Sequence, residues 1–143
     1  MALFDVFDVS SSAMHAQNVR LNTVASNLAN AETVATTEEE AYRSKTPVFE
    51  EILSREANHP MERAGGVRVK EISVSDAPIT RRYQPNHPMA NGEGFIYTTN
   101  VNPVEEMANM MSASRSYENN IEVMNTVKQL LMRTLNMGDR KSV

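Results

Sequence analysis

Apolar positions near the start of the chain recur every seven residues, at Phe7, Met14, Leu21 and Leu28. Ser10, Gln17, Val24 and Ala31 fall between them and complete a 3-4 spacing. The pattern predicts a helix from Leu3 to Ala31 with a heptad seam, weakened where Ser10 and Gln17 replace apolar knobs. Asn30 is placed to end it, because Asn tolerates the left-handed conformation. A second seam reads Met107, Met110, Ser114, Tyr117, Ile121, Met124, Lys128, Leu131 and Leu135, with polar breaks at Ser114 and Lys128. It predicts a helix from Pro103 to about Asn136, which would run about 51 Å at 1.5 Å per residue. Pro103 suits a first helical turn and Asn102 can cap it. Glu105 and Glu106 lie at the positive end of the dipole, Lys128, Arg133 and, just beyond, Arg140 and Lys141 gather toward the negative end, and Gly138 is the natural stop.

Between these helices the period changes. Thr36 to Glu40 reads TTEEE, a polar acidic loop. Tyr42 to Leu53 mixes β-formers and ends apolar at Val48, Phe49, Ile52 and Leu53. Gly65-Gly66 is a turn signal. After it, Val67 and Val69 alternate with Arg68 and Lys70, and then Ile72 and Val74 take the other phase, which predicts a strand with a bulge near Glu71. Arg81 to Tyr83 and Phe95 to Thr98 are further short strands around the turn-rich QPNHPMANGEG. The expected fold is mainly α with a small β insertion, an α+β chain whose terminal helices form a coiled-coil-like hairpin. Residues 1–33 and 102–143 would make an inner helical domain and 34–101 an outer β-rich domain.

The outer faces of both helices are unusual. From Val9 to Ala31 the only formally charged side chain is Arg20. Asn18, Asn22, Ser26 and Asn30 repeat every four residues, and Ser112, Ser116, Asn119 and Asn120 give the last helix a similar surface. A helix washed by water usually carries Lys and Glu there. Amides and hydroxyls can bond to neighbouring chains without the desolvation cost of full charges. Each polar seam position also forfeits roughly 1.5–3 kcal/mol that a buried Leu or Ile would supply. An isolated hairpin would therefore be marginal, and the two faces fit packing against other protein helices in a polymer, or else the Ala/Asn-rich helix ends and heptad core of an ordinary bundle.

Composition sharpens this. The 143 residues include 10 Met but only 4 Phe, 4 Tyr and no Trp, which favours long, thin contacts over a thick globular centre. The net charge of -4, without a basic cluster, argues against nucleic acid as a partner. The absence of Cys excludes disulfides and thiolate chemistry. MALFDVFDVS has no basic n-region, so no cleaved secretory signal is expected. No apolar run approaches the roughly 18 residues of a single membrane-spanning helix.

Little in the chain promises catalysis. The tetrapeptide NHPM occurs at Asn58 to Met61 and again at Asn86 to Met89. His59, His87 and the nearby Met side chains are conceivable soft metal ligands, but turn-forming Asn and Pro explain both copies more simply. His15 reads as an interface residue. Glu38 to Glu40 read as solvated, and Ser10-Ser11-Ser12 as a cap or a kink. No nucleophilic triad spacing, phosphate loop or zinc signature is present, so no enzyme activity, cofactor, metal or small-molecule substrate is expected.

The run from Ala16 to Asn22, AQNVRLN, followed by Ala25 to Ala31, ASNLANA, resembles the N-terminal signature of the axial proteins of the bacterial flagellum. Met111 to Tyr117, MSASRSY, and Asn120 to Lys128, NIEVMNTVK, look like the proximal rod proteins of the basal body, the FlgC type. Tyr42 to Lys45 and Tyr83 to Pro88 resemble that family's middle region. The chain departs from it at Asn119, where a small Ala is usual, at Thr99, where Pro is usual, and in TTEEE, which replaces a Gly/Pro turn.

The resemblance implies a structural rod subunit that polymerises through its terminal helices into part of a hollow drive shaft around the export channel. It further implies export without a cleaved signal by the flagellar type III apparatus, and a place in the rod crossing the periplasm. The implied partners are copies of the chain, other rod proteins and the base adaptor to the membrane ring. The subunit-interface candidates are Phe7, Met14, Leu21, Val24, Asn27, Leu28, Asn30, Met107, Met110, Ser114, Tyr117, Ile121, Met124 and Leu131. The competing expectations are a cytosolic helical-hairpin adaptor binding one partner helix and, more remotely, a hydrolase using His59 and His87.

Overall fold

The computed structural model describes residues 3–52 and 65–139. Helix α1 is Leu3–Ala29 and helix α2 is Pro103–Asp139. Between them lie β1 (Val34–Ala35), β2 (Lys45–Ile52), β3 (Gly66–Val74), β4 (Arg81–Tyr83) and β5 (Phe95–Thr98). The chain is thus α+β and mostly helical, with its strands inserted between two long helices. No helix among the described residues is long and apolar enough to cross a membrane.

Local chemistry explains the helix ends. The Asn102 side-chain carbonyl accepts the N–H groups of Val104 (3.1 Å) and Glu105 (3.4 Å), so the expected cap is in place. The end of α1 differs from expectation. No described non-glycine residue has positive φ, so Asn30 does not end the helix in the left-handed conformation. Its side-chain amide instead donates to the Ser26 carbonyl at 2.8 Å, which also accepts the Asn30 backbone N–H at 3.2 Å, so both bonds hold the last turn. Helix α2 likewise runs through Gly138 to Asp139 instead of stopping near Asn136. One helical Gly costs only about 1 kcal/mol against Ala. Ser10 to Ser12 neither cap nor break α1, and the Ser12 hydroxyl donates back to the Val9 carbonyl at 2.8 Å.

Two sheets are present among the described residues. The larger has the order β1-β5-β4, antiparallel throughout, with Val34 opposite Thr98 and Arg82 opposite Ile96. β4 and β5 fall where alternation and turn chemistry place them. β1 was not foreseen, since two residues are too few to show a period. The other sheet pairs β2 with β3, and β3 continues as strand through Glu71. Pro47 sits within β2, which a two-stranded sheet tolerates because each strand has an outward edge needing no donor. The turn before β5 is closed by Asn91, whose side-chain oxygen accepts the N–H groups of Glu93 and Phe95, both at 3.0 Å. Gly94 there has φ of 83°, and a Cβ on it would meet the Tyr83 ring at 2.9 Å.

The chain divides into two compact units. One takes the described parts of 1–19, 49–70 and 113–143; the other is 20–48 with 71–112. The first unit encloses Ser10, Ala16, Ala113 and Val127. The second encloses Thr23, Val24, Asn27, Ala35, Ala41, Ile96, Val101 and Glu106. Both interiors consist largely of small, β-branched or polar side chains. The largest fully buried side chain among the described residues is an amide, Asn27.

Candidate assembly surfaces

Asn27 organises the second unit. Its side-chain NH2 donates to the Lys45 carbonyl (2.8 Å), to a Glu106 carboxylate oxygen (3.1 Å) and, at the longest distance, to the Ser44 hydroxyl (3.4 Å). Its oxygen accepts the Lys45 N–H (3.0 Å) and the Tyr42 hydroxyl (2.9 Å). One amide from α1 therefore ties down the first residue of β2 and the first turn of α2. Asn100 clamps the same segment, accepting the Ser44 N–H at 2.7 Å and donating to the Ala77 carbonyl at 3.0 Å. Arg20, the lone charge of its stretch, donates to Asn109 at 3.2 Å. The Arg20–Asn109 and Asn27–Glu106 pairs ascend on α1 while they descend on α2, so the helices are antiparallel in this unit.

The enclosed rows are not the expected ones. On α2 the covered 3-4 pattern is Glu106, Met110, Ala113, Tyr117, Asn120, Met124, Val127 and Leu131. Met110, Tyr117, Met124 and Leu131 belong to the expected seam and are half-buried. The other expected row, Met107, Ser114, Ile121, Lys128 and Leu135, lies one residue around the helix. Met107 and Leu135 are 57% and 68% exposed. The same offset occurs on α1. Ser10 and Val24 are enclosed as expected, but Ala16, Thr23 and Asn27 are enclosed too, whereas Gln17 and the row Phe7, Met14, Leu21 and Leu28 are only half-buried. The reason is steric and electrostatic. Small side chains such as Ala16 and Ala113 fit where helices are closely covered, and Glu106 can be enclosed because Asn27 donates to it.

Among the interface candidates, the structure encloses Val24 and Asn27. It half-covers Phe7, Met14, Leu21, Leu28, Asn30, Met110, Ser114, Tyr117, Met124 and Leu131, and leaves Met107 and Ile121 exposed. The amide stripe stays outward, with Asn18, Asn22 and Ser26 exposed. Nine large apolar side chains of α2 are exposed: Val104, Met107, Met111, Ile121, Val123, Leu130, Met132, Leu135 and Met137. Sequence reasoning missed Glu106, which it assigned only to the helix dipole, and it missed Asn100 and Ser12. Ser12 accepts the Val67 N–H at 3.1 Å. A frame through positions 106, 113, 120 and 127 was available in the sequence, but the carboxylate of Glu106 and the amide of Asn120 disguised it.

No described group of His, Asp and Glu is arranged to hold a metal ion. His87 serves its turn, its Nδ1 accepting the Met89 N–H at 3.1 Å. His59, Leu53, Arg140 and Lys141 lie outside the described residues. Glu38 pairs with Arg43 at 3.4 Å on the surface, while Glu39 and Glu40 are exposed.

Both ends of the chain match models of flagellar rod proteins. Residues 7–34 match the Flagella basal body rod protein family, and residues 93–137 match the Flagellar basal body rod FlgEFG protein C-terminal family. These segments hold nearly all of α1, the first residue of β1, β5 and most of α2, and so mark a flagellar rod component. The chain is 45% identical to the flagellar basal-body rod protein FlgC of Salmonella typhimurium, over 96% of its own length and 99% of the relative's. It is 44% identical to FlgC of Escherichia coli O157:H7, with the same coverage of both chains. It is 36% identical to FlgC of Bacillus subtilis, over 96% of this chain and 99% of that one. The chain belongs to the FlgC family of flagellar basal-body rod proteins. It is a structural subunit of the basal body, not an enzyme, which sets aside the adaptor and hydrolase readings.

Proposed function

We propose that the chain polymerises through its terminal helices into the proximal part of the rod, a hollow drive shaft that transmits motor torque and surrounds the export channel. Residues 1–33 and 102–143 form the inner tube as a coiled-coil-like hairpin, and residues 34–101 form the outer part. The neighbours are copies of the chain, other rod proteins and the base adaptor to the membrane ring. The subunit reaches the rod, which crosses the periplasm, through the flagellar type III apparatus without a cleaved signal. A helix stabilised mainly by neighbours is easily kept unfolded for passage and ordered on arrival.

The single supporting observation is the set of large apolar side chains that α2 leaves exposed in the single chain, with Val104, Met107 and Met111 at 3-4 spacing and Ile121 and Leu135 further along the helix. Side chains of this kind scattered singly need no explanation, but a row at helical spacing does. The candidate interface residues, Phe7 to Asn30 on α1 and Met107 to Leu131 on α2, take their roles from this packing.

The test is a charge placed on that row. Ile121→Asp is the cleaner variant, because Ile121 is 39% exposed in the single chain, and Leu28→Asp probes α1. Both are expected to abolish incorporation into basal bodies and motility, while the purified Ile121→Asp chain keeps its circular dichroism. Variants that assemble and swim normally would show the packing surface to lie elsewhere.

A further inference from the structure

An apolar groove of about 560 Å³ opens in the first unit. One wall is the Val6, Val9 and Ala13 stripe of α1; Val67 and the Gly65-Gly66 backbone form the other, with Glu51 also lining it. Gly66 allows the approach, since a Cβ there would stand 3.1 Å from the Ser12 Oγ, the atom that holds the Val67 N–H. In the same unit, every described side chain of α2 from Met132 to Gly138 is exposed. Met132, Leu135 and Met137 are 55%, 68% and 72% exposed. Among the described residues there is thus an apolar groove and an exposed apolar helix tip, and one does not fill the other.

We propose that the α2 tip of one copy docks in this groove of a second copy, a reading that rests on the polymerisation proposed above. Charge supports the choice of occupant. Lys128 lies one turn before Met132, on the stripe shared by Met132 and Leu135, and Arg133 adjoins it. Glu51 is the one charged side chain that lines the groove. The start of α1 carries Asp5 and Asp8 with no Lys or Arg before Arg20, and of the basic residues that follow Val67, Arg68 and Lys70, Arg68 is paired with Glu50. Met132 and Leu135 are the spacing by which a helix anchors in an apolar groove, with Lys128 brought toward Glu51. Donor and acceptor surfaces differ, so each docking leaves a free tip and a free groove. Such a head-to-tail contact propagates instead of closing as a dimer.

The absence of Cys makes the contact testable by thiol cross-linking. Val9→Cys and Leu135→Cys are placed in separate copies, produced together, and treated in isolated basal bodies with a short bifunctional thiol reagent. A linked dimer is expected with both variants present and with neither alone. A charge exchange covers the case in which a Cys variant fails to assemble. Glu51→Lys and Lys128→Glu are each expected to lower incorporation about tenfold, and the double variant to restore it to within about twofold. Unmodified chain in the rods, with neither a dimer nor a charge effect, overturns the docking and leaves polymerisation standing. Absence of the unmodified chain from the rods would overturn polymerisation itself.

Discussion

Asn27 and Glu106 form a pair whose hydrogen bond has a direction: the amide donates and the carboxylate accepts. Asn27→Ala would remove the donor and leave an enclosed carboxylate short of a partner, with the Lys45 backbone groups also released. The expected cost is about 3 kcal/mol, read as a lower urea midpoint of the purified chain. Asn27→Asp should cost at least as much, because two acceptors would then face each other. Adding Glu106→Gln reverses the bond, with the new amide donating to the new carboxylate, and should recover part of the loss in a double-mutant cycle. No recovery would show that the loss comes from the Lys45 and Tyr42 contacts instead. Gly94→Ala is expected to cost about 2 kcal/mol, since an L side chain disfavours its positive φ and meets the Tyr83 ring. At this scale the sequence was only partly legible. Asn102 announced its capping role by preceding Pro103, whereas Glu106 satisfied the dipole rule so well that its burial gave no separate sign.

The helices illustrate what periodicity can and cannot decide. Spacing alone locates α1 and α2, and Met110, Tyr117, Met124 and Leu131 of the predicted seam lie on a half-buried face. The companion row was displaced by one residue, about 100° of helix. The displacement arose because Met107, Ile121 and Leu135 are more apolar than Glu106, Ala113 and Asn120. A reading by hydropathy follows the greasiest row, and a chain that leaves such a row uncovered defeats it. Strands β4 and β5 were legible because a dense run of Pro, Asn and Gly separates them, but β1 is defined only by its partner β5. The Ser12 hydroxyl, which fastens Val67 to α1, predicts a modest effect. Ser12→Ala should destabilise the chain by about 1 kcal/mol, seen as a small loss of urea resistance and faster exchange of the Val67 amide.

For the whole chain, the division of burial predicts where protection from hydrogen exchange will lie. In the dilute purified chain, amides of α2 beyond Leu131 should exchange well before those of β5, which is paired on both sides. On assembly the α2 amides should become protected and the β5 amides change little. Equal protection of both segments in the dilute chain would contradict the dependence of α2 on neighbours.

That α2 runs without interruption from Pro103 through Gly138 makes residue number along it a gauge of both angle and reach. A single Ala inserted after Asn119 would swing everything beyond it by about 100° and advance it by only about 1.5 Å. Seven inserted residues would bring the bearing back to within about 20° while pushing the far end forward about 10 Å. If a shaft of these subunits reads bearing, the first insertion stops it and the second is partly tolerated; if it reads reach, the order is reversed.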